Sequence, residues 1–318
     1  MVMGEEEWVM KTSRPSLITH HPLPITPFGF RLVRLITMTT FPAPAKLNLF
    51  LHVVGRRPDG YHLLQTVFRF VDYGDSLAFT VRGDGVIRRV NPLPGLDPEQ
   101  DLTVRAARLL QQETGCRLGA DIFLEKRLPM GGGLGGGSSD AATTLLALNR
   151  LWNLNLCRRV LQELGLRLGA DVPVFVFGES AFAEGVGEKL QPVALPPAWY
   201  VVLVPPVTVS TAEIFTGGEL TRDTKPIKMS DFSTGCGRLD QLKNDLEPVV
   251  CRKYPQVAEY LDWLKAFGDA RMTGSGACVF AAFSSEEEAR SVFSKKPAQM
   301  AGFIAKGMDR HPLHDFIS

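Results

Sequence analysis

The sequence predicts a mixed α+β fold. Segments that resemble strands come in groups, and helices interrupt these groups instead of alternating regularly with single strands. The 318 residues suffice for two modest domains or one large one. Hydrophobic residues make up 45% of the chain and charged residues 22%, which is ordinary for a globular protein with a substantial core.

The first half of the chain is expected to contain several strands and two helices. Strand-like runs, recognised by alternation or by β-branched and apolar residues, cover 45–54, 63–71, 76–82 and 120–126. Turn-forming residues at 72–75 predict a tight turn between the second and third strand. Asp101 can cap a helix over 102–114, whose apolar residues share one face. A second helix, over 138–152, follows a glycine-rich segment.

The second half continues the mixture of short strands and helices. A helix over 158–168 is expected to end at Gly169, a suitable C′ residue. Short strands are predicted at 172–177, 199–204 and 278–283, and helices at 240–250, 257–267 and 285–293. We expect residues 1–37, rich in glutamate and proline, to be a disordered extension. We expect 38–186 and 187–318 to form two domains.

Charge and cysteine content exclude several classes of protein. The net charge is +1, so no overall field favours nucleic acid or an anionic membrane, and an anionic ligand needs a local site. No apolar run approaches the ~20 residues of a membrane span. The five cysteines are scattered and include no CxxC pair. This argues against a disulfide framework or zinc site, and predicts a reducing, cytoplasmic compartment.

The strongest local signal is the glycine run in Leu-Pro-Met-Gly-Gly-Gly-Leu-Gly-Gly-Gly-Ser-Ser-Asp-Ala-Ala, residues 128–142. Glycine is costly to order, so such a run indicates backbone that approaches a ligand or takes positive φ. Ser138 or Ser139 can cap the following helix, and exposed N–H groups at a helix N-terminus bind anions. A nucleotide phosphate is the expected occupant, and a flexible linker is the alternative.

Three phosphate-binding patterns fit this run poorly. The P-loop pattern fails because no lysine follows the glycines. Gly131, Gly133 and Gly136 satisfy the dinucleotide pattern formally, but the ribose-binding acid expected about 20 residues further on is missing. The protein-kinase pattern fails because its valine and its strand lysine are both absent.

Two other segments place polar groups where a ligand would explain them. Lys46 and Asn48 share one face of the first strand, where burial without partners would be expensive. Asp171 follows a helix stop and precedes an apolar run, which suits a buried general base. The structural alternatives are a lysine at the rim of the sheet and a turn aspartate that bonds the local backbone.

Taken together, these segments resemble the motifs of the GHMP kinase superfamily. The glycine run resembles the second motif, and the Thr-Gly-Ser-Gly turn at 273–276 resembles the third. The first motif corresponds to 44–51 with the following Gly-Tyr-His segment, in the form found in kinases that phosphorylate a cytidine diphosphate of methylerythritol. The resemblance begins near residue 39 and continues to the C-terminus. It implies the two-domain GHMP kinase fold, with a ribosomal protein S5 domain 2-like N-terminal domain and an α/β C-terminal domain.

The resemblance also implies the reaction and its participants. ATP with Mg²⁺ would donate a phosphate to the 2-hydroxyl of a cytidine diphosphate sugar alcohol, in the non-mevalonate route to isoprenoids. Asp171 would be the catalytic base and Lys46 its partner. No nucleic acid or membrane partner is implied, and the chain would be a monomer or homodimer.

Individual positions follow from the same resemblance. The residues expected to bind ATP are Pro129, Met130, Gly131, Gly132, Gly133, Leu134, Gly135, Gly136, Gly137, Ser138 and Ser139. Those expected to bind the substrate are Asn48, Tyr61, His62 and Phe215, with the cytosine held between aromatic rings. The supporting loop is Thr273, Gly274, Ser275 and Gly276.

Three alternative functions and one rival residue stay open at this point. The chain could be a GHMP kinase acting on homoserine or mevalonate, a dinucleotide-dependent oxidoreductase, or a non-catalytic nucleotide-binding protein. Assays with a panel of substrates would decide the first of these. Binding of NAD but not ATP would indicate the second, and ATP turnover would exclude the third. Asp140 is a rival carboxylate. Its place in the first turn of a helix is explained by the helix dipole, but a minor role in holding Mg²⁺ is open.

Overall fold

The computed structural model describes residues 39–93, 95–229 and 242–316. The expected extension at 1–37 lies outside these ranges, as do residues 240 and 241 of the helix predicted at 240–250. Residues 242–246 are not helical, so that prediction is wrong there, and the helix begins at Glu247. None of the helices that the structure describes is long and apolar enough to cross a membrane. The predicted division into domains at residues 186 and 187 stays a prediction.

Ten strands and eight α-helices alternate irregularly within the described ranges, as an α+β fold requires. The strands are β1 (Thr40–Arg56), β2 (His62–Arg82), β3 (Ile87–Arg89), β4 (Gly119–Glu125), β5 (Ala181–Glu184), β6 (Lys189–Pro192), β7 (Trp199–Val204), β8 (Ala270–Met272), β9 (Val279–Phe283) and β10 (Ala301–Met308). The helices are α1 (Leu102–Thr114), α2 (Gly136–Leu151), α3 (Arg158–Leu168), α4 (Val172–Phe177), α5 (Thr211–Thr216), α6 (Glu247–Lys253), α7 (Pro255–Lys265) and α8 (Glu286–Ser294), and a 3₁₀ turn follows at His314–Phe316.

The strands form one sheet in the order β3-β4-β2-β10-β7-β9-β8. β1 and β5 also pair with β2, and β6 pairs with β5. All of these pairs are antiparallel except β3 with β4. β2 therefore contacts four other strands, and the long hairpin that it forms with β1 is the frame on which the site is built.

Three apolar clusters fill the interior. The first lies between the β1–β2–β4 part of the sheet and helices α1 to α4. The second lies between β7, β8 and β9 and helices α5 to α8. The third contains side chains of β1, β2, β7 and β9, and so joins the other two. Ala43 of β1 belongs to the first cluster, Ala45 and Leu47 to the third and Val53 to the second, so β1 passes along all three. Lys46 and Asn48 alternate along the strand with the packed residues Ala45 and Leu47.

The tight turn predicted at 72–75 is wrong, because β2 runs straight through these residues. Pro44 pairs with Gly74 whereas Ala45 pairs with Val71, so Asp72 and Tyr73 form a bulge in β2. A Cβ atom at Gly74 would lie 2.3 Å from the carbonyl oxygen of Ala43. The glycine is therefore required by the close approach of β1, not by a reversal of the chain.

The strand predicted at 172–177 is also wrong, since these residues form helix α4. Five of the six residues are buried, so the run is apolar on every side and its periodicity cannot distinguish a helix from a strand. Pro173 in the first turn favours the helix. Asp171 consequently stands at the N-terminus of a helix and not before a strand.

Two predicted helix ends need correction. Gly135, with φ of 73°, is the N-cap of α2, so neither Ser138 nor Ser139 caps it. Gly169 follows α3 as predicted, but with φ of 175° it is extended and not left-handed. The predicted cap of α1 is confirmed, because Asp101 accepts a hydrogen bond from the N–H of Thr103 at 2.9 Å.

Candidate active site

A cavity of about 500 Å³ opens beside the glycine run, the first two strands and the 273–276 turn. Every residue from Pro129 to Ser138 lines it, together with Lys46, Asn48, Asp171 and Phe215. The structure thus brings together residues that lie far apart in the sequence. Ser139, Tyr61, His62, Thr273 and Gly276 are the predicted site residues that do not line this cavity.

An ion pair between Lys46 and Asp171 lines the cavity. Their side chains lie 3.1 Å apart, from Nζ to Oδ2, and Lys46 is only 2% exposed whereas Asp171 is 36% exposed. The ammonium also donates to Oδ1 of Asn48 at 2.5 Å and lies 5.4 Å from the centre of the Phe68 ring. A buried ammonium needs such partners to offset its desolvation. Asp171 makes no side-chain capping bond to α4, so its carboxylate is available to a ligand in the cavity.

Hydrogen bonds hold both the side chain and the backbone of Asn48. Its side-chain N–H donates to Oγ1 of Thr66 at 2.9 Å, and that hydroxyl donates to the carbonyl oxygen of Phe50. The backbone N–H of Asn48 donates to Oγ1 of Thr273 at 2.9 Å. Because the amide oxygen accepts from Lys46, these bonds hold the lysine in place beside Asp171.

The 273–276 turn lies directly against the glycine run. Cys278 donates its backbone N–H to the carbonyl oxygen of Gly132 at 3.1 Å. Gly133 has φ of 76°, and a Cβ atom there would lie 2.2 Å from the carbonyl oxygen of Thr273. Asn244 holds the turn from outside, because its Nδ2 donates to the carbonyl oxygens of Met272 and Gly274 at 2.9 and 2.8 Å. The turn therefore supports the glycine run from behind.

The glycine run is also tied to the first strand. The backbone N–H of Lys46 donates to the carbonyl oxygen of Leu134 at 3.0 Å, so the run lies against the catalytic candidates. Gly135 is the N-cap of α2, and the last two glycines of the run, Gly136 and Gly137, form the start of the helix, whose N-terminus opens on the cavity. This arrangement is suited to a phosphate group.

A second charged cluster lies under the start of α2. Nζ of Lys126 lies 2.6 Å from Asp75 and 2.7 Å from Asp140. Asp75 also accepts the backbone N–H groups of Arg127 and Leu128, which stabilise its charge. Burial raises the pKa of Asp140 to about 7, and the charge of Asp75 adds to this against the opposing effect of Lys126. The expected place of Asp140 in the first turn of the helix is wrong, because α2 starts at Gly136 and its first turn has no acidic residue. Asp140 is instead held by its pair with Lys126, and it also lines the cavity.

Of the aromatic residues expected to hold a base, Phe215 on α5 lines the cavity and His62 packs against it. Tyr61 is 63% exposed. The rings of His62 and Phe215 lie 4.9 Å apart and are tilted by 33°. Burial lowers the pKa of His62, and the positive charges of Arg222 and Arg56 lower it further.

Several side chains of the site were not singled out from the sequence. Thr66, Phe68, Lys126, Arg222 and Asn244 all contact a predicted site residue or its support. Thr66 and Asn244 lie inside segments that resemble the family, which was a usable signal. Arg222 is separated from His62 by 160 residues, and no local pattern marks it.

Comparison with known proteins decides the family. Residues 101–179 match the model for the GHMP kinases N terminal domain, and residues 231–301 match the one for GHMP kinases C terminal. A 4-diphosphocytidyl-2-C-methyl-D-erythritol kinase of Nitrosospira multiformis is 66% identical over 278 residues, covering 86% of this chain and 93% of the relative. The chain belongs to the 4-diphosphocytidyl-2-C-methyl-D-erythritol kinase family of GHMP kinases. A second member, from Thiobacillus denitrificans, is 64% identical over 87% of this chain and 98% of its own length.

Solved structures agree with membership of this kinase family. A crystal structure of 4-(cytidine 5'-diphospho)-2C-methyl-D-erythritol kinase has a TM-score of 0.73 and 34% identity, covering 85% of this chain and 99% of the other. A homoserine kinase from Cytophaga hutchinsonii has a TM-score of 0.64 at 16% identity over 86% of this chain and 95% of its own, and shows the shared fold alone. The predicted GHMP kinase fold is confirmed. The chain is a kinase, and GHMP kinases use ATP.

Proposed function

We propose that this chain transfers the γ-phosphate of ATP to the 2-hydroxyl of 4-diphosphocytidyl-2-C-methyl-D-erythritol, a step of the non-mevalonate isoprenoid pathway. The observation that carries the proposal is the Lys46–Asp171 pair at 3.1 Å in a cavity walled by the glycine run. The names of the relatives supply the acceptor, and the identity of 66% over most of both chains supports the transfer of that name.

In this mechanism Asp171 is the general base. Its partly exposed carboxylate accepts the proton of the 2-hydroxyl as that oxygen attacks the γ-phosphorus. The bond from the γ-phosphorus to the β,γ-bridging oxygen breaks, and ADP leaves. The product keeps its diphosphocytidyl group and gains a 2-phosphate.

Lys46 is proposed to orient Asp171 and to stabilise the negative charge that develops on the attacking oxygen. Phosphoryl transfer depends mainly on positioning and charge stabilisation, so a rigid cation beside the base is useful. Lys46 is held by Asn48, Phe68 and Asp171 at once, which restricts its side chain. The glycine run and the N-terminus of α2 would hold the phosphates, and the apolar side chains of Leu93, Leu96 and Leu102, which also line the cavity, would contact the adenine.

The residues of the cavity also fit a Mg²⁺ ion that arrives with ATP. Among the described residues no group of three or more His, Cys, Asp and Glu side chains could hold a metal. Protein-bound Mg²⁺ however commonly uses one or two carboxylates together with substrate phosphates. Asp140 lines the cavity, and its Oδ1 is buried with no hydrogen-bond partner. Mg²⁺ bound there with the phosphates would neutralise part of their charge.

We further propose that the protein acts in the cytoplasm, as a monomer or homodimer. Cys116, Cys157, Cys251 and Cys278, the cysteines that the structure describes, are all free thiols, which supports a reducing environment.

The test is coupled ADP release from ATP and Mg²⁺ with the proposed substrate, and with homoserine and mevalonate as controls. We expect turnover with the cytidylyl substrate alone. Turnover only with a control would keep the kinase and overturn the substrate. No ADP release with any of the three, from folded protein, would indicate a non-catalytic member.

A further inference from the structure

The imidazole of His62 receives a hydrogen bond from an arginine. Nε of Arg222 donates to Nε2 of His62 at 3.1 Å. A guanidinium group has only donors and keeps its proton at any physiological pH, so Nε2 must contribute a lone pair. A neutral imidazole with a lone pair on Nε2 carries its proton on Nδ1. The Arg222 contact therefore selects one tautomer of His62.

Arg222 is itself fixed by three backbone carbonyl groups. Nη1 donates to the carbonyl oxygen of Leu220 at 3.1 Å, and Nη2 donates to those of Phe215 and Gly217 at 3.1 and 2.5 Å. These bonds orient the guanidinium independently of His62. They also anchor the end of α5, which carries Phe215, so one residue positions both the imidazole and the neighbouring ring.

The remaining nitrogen of His62 is left for a ligand. Within the described ranges, Nδ1 of His62 has no hydrogen-bond partner, although the ring packs against Phe215. The charged groups that act on His62 are Arg222 and Arg56, both positive, and together with burial they disfavour the imidazolium form. His62 therefore presents an N–H donor and no positive charge of its own.

We propose that Arg222 is a positioning residue that holds His62 as the Nδ1–H tautomer, so that the site selects a pyrimidine whose ring atom N3 is a hydrogen-bond acceptor. This inference rests on the proposed function, in which the substrate carries a cytosine. N3 of cytosine is an acceptor, whereas N3 of uracil carries a proton and is a donor. A fixed donor on His62 would thus favour the cytidine substrate over its uridine analogue, because two donors would face each other in the wrong complex.

The tautomer can be measured directly in the wild-type protein. Nitrogen NMR of ¹⁵N-histidine-labelled protein, assigned with His62→Gln, should show Nε2 of His62 unprotonated and Nδ1 protonated near pH 7. In Arg222→Leu the Nε2–H form should become populated. A protonated Nε2 in the wild type would overturn the proposal without any measurement of activity.

Kinetics separate positioning from a merely structural effect. With Arg222→Leu we expect KM for the cytidine substrate to rise about tenfold, while kcat and KM for ATP change less than about twofold. The preference for the cytidine over the uridine diphosphate substrate should fall by about the same tenfold factor. Arg222→Lys keeps a donor and should restore part of the preference. Arg252→Leu removes an exposed arginine that pairs with Glu219, and should leave all of these values unchanged.

An equal rise in KM for the cytidine and for the uridine substrate would leave the cytidine preference intact. It would show that Arg222 acts only through the loop that it anchors, and would overturn the proposal. Absence of turnover by the wild type with the cytidine substrate would instead defeat the proposed function, and the pyrimidine selection with it. The tautomer of His62 would still be known from the NMR spectrum, so the two failures are distinguishable.

Discussion

At the scale of single residues, the site depends on charged groups whose partners are supplied by the fold. Lys46 is buried and compensated by a carboxylate, an amide oxygen and a ring. Lys126 is compensated by Asp75 and Asp140. The sequence allowed Lys46, Asp171 and the glycine run to be singled out, because each lies in a distinctive local motif. Arg222 and Lys126 could not be found in this way, since their roles come from contacts between distant segments.

Asp140 should make the stability of the protein depend on pH. Its folded pKa is raised by burial to about 7. Between its ordinary pKa and this value the folded state binds more protons than the unfolded state, so stability falls as the pH rises through that window. An asparagine at this position cannot ionise, so the variant Asp140→Asn lacks this decline. Its free energy of unfolding relative to that of the wild type should therefore rise by about 2 kcal/mol from pH 5 to pH 8.

Urea unfolding at the two pH values measures this difference. Glu163→Gln, which alters an exposed pair with Arg159, is the matched control and should show no such trend. Parallel stability curves for Asp140→Asn and wild type would mean that Asp140 is ionised in the folded protein throughout.

At the scale of elements, segments with a clear period or cap were predicted well, and segments buried on every side were not. The alternating strand at 45–54 and the capped helix at 102–114 are present as β1 and α1. α4 was mistaken for a strand because burial on all faces removes its period. β10 was missed because two glycines and a lysine within Ala301–Met308 weaken the strand signal, although the strand pairs with both β2 and β7.

The N-cap of α1 should contribute more to the free energy of unfolding than an ordinary cap does. Asp101 both caps the helix and pairs with Arg89, and the two side chains are 6% and 3% exposed. Asp101→Ala removes the cap and leaves a buried guanidinium without its partner, so we expect a loss of about 3 kcal/mol. Ser285→Ala removes the cap of α8, where the bond to Glu288 is exposed, and should cost about 1 kcal/mol.

Chemical denaturation of the two variants gives both values on the same protein. Similar losses for Asp101→Ala and Ser285→Ala would show that the Arg89 contact contributes nothing beyond the cap.

At the scale of the whole molecule, the site depends on contact between distant parts of the chain. The glycine run leads into α2, whereas the 273–276 turn lies between β8 and β9, and the two touch at Gly133 and Thr273. The third apolar cluster joins the same regions of the sheet. The family resemblance predicted that the 273–276 loop supports the glycine run. The β1–β2 bulge and the order of the strands could not be derived from local patterns, because they depend on pairing between residues far apart.

Gly133→Ala should separate these two segments. A Cβ atom there would lie 2.2 Å from the carbonyl oxygen of Thr273, and the residue would have to keep positive φ. We expect KM for ATP to rise about tenfold or more and the thermal midpoint to fall by several degrees. Gly83→Ala, where a Cβ atom meets nothing within 4 Å, should change neither. A normal KM for ATP in Gly133→Ala would show that the contact does not shape the phosphate site.

The assignment of Asp171 as the base is tested by the rate of phosphoryl transfer in Asp171→Asn, measured in a single turnover at saturating ATP and cytidylyl substrate. We expect a rate at least about 100-fold below wild type, with substrate affinity little changed and the protein still folded, because Asn48 and Phe68 remain beside Lys46. Asp84→Asn, at an exposed carboxylate outside the cavity, should keep the wild-type rate. A rate for Asp171→Asn within a few-fold of wild type would contradict the assignment of Asp171 as the base and of the Lys46–Asp171 pair as the catalytic centre.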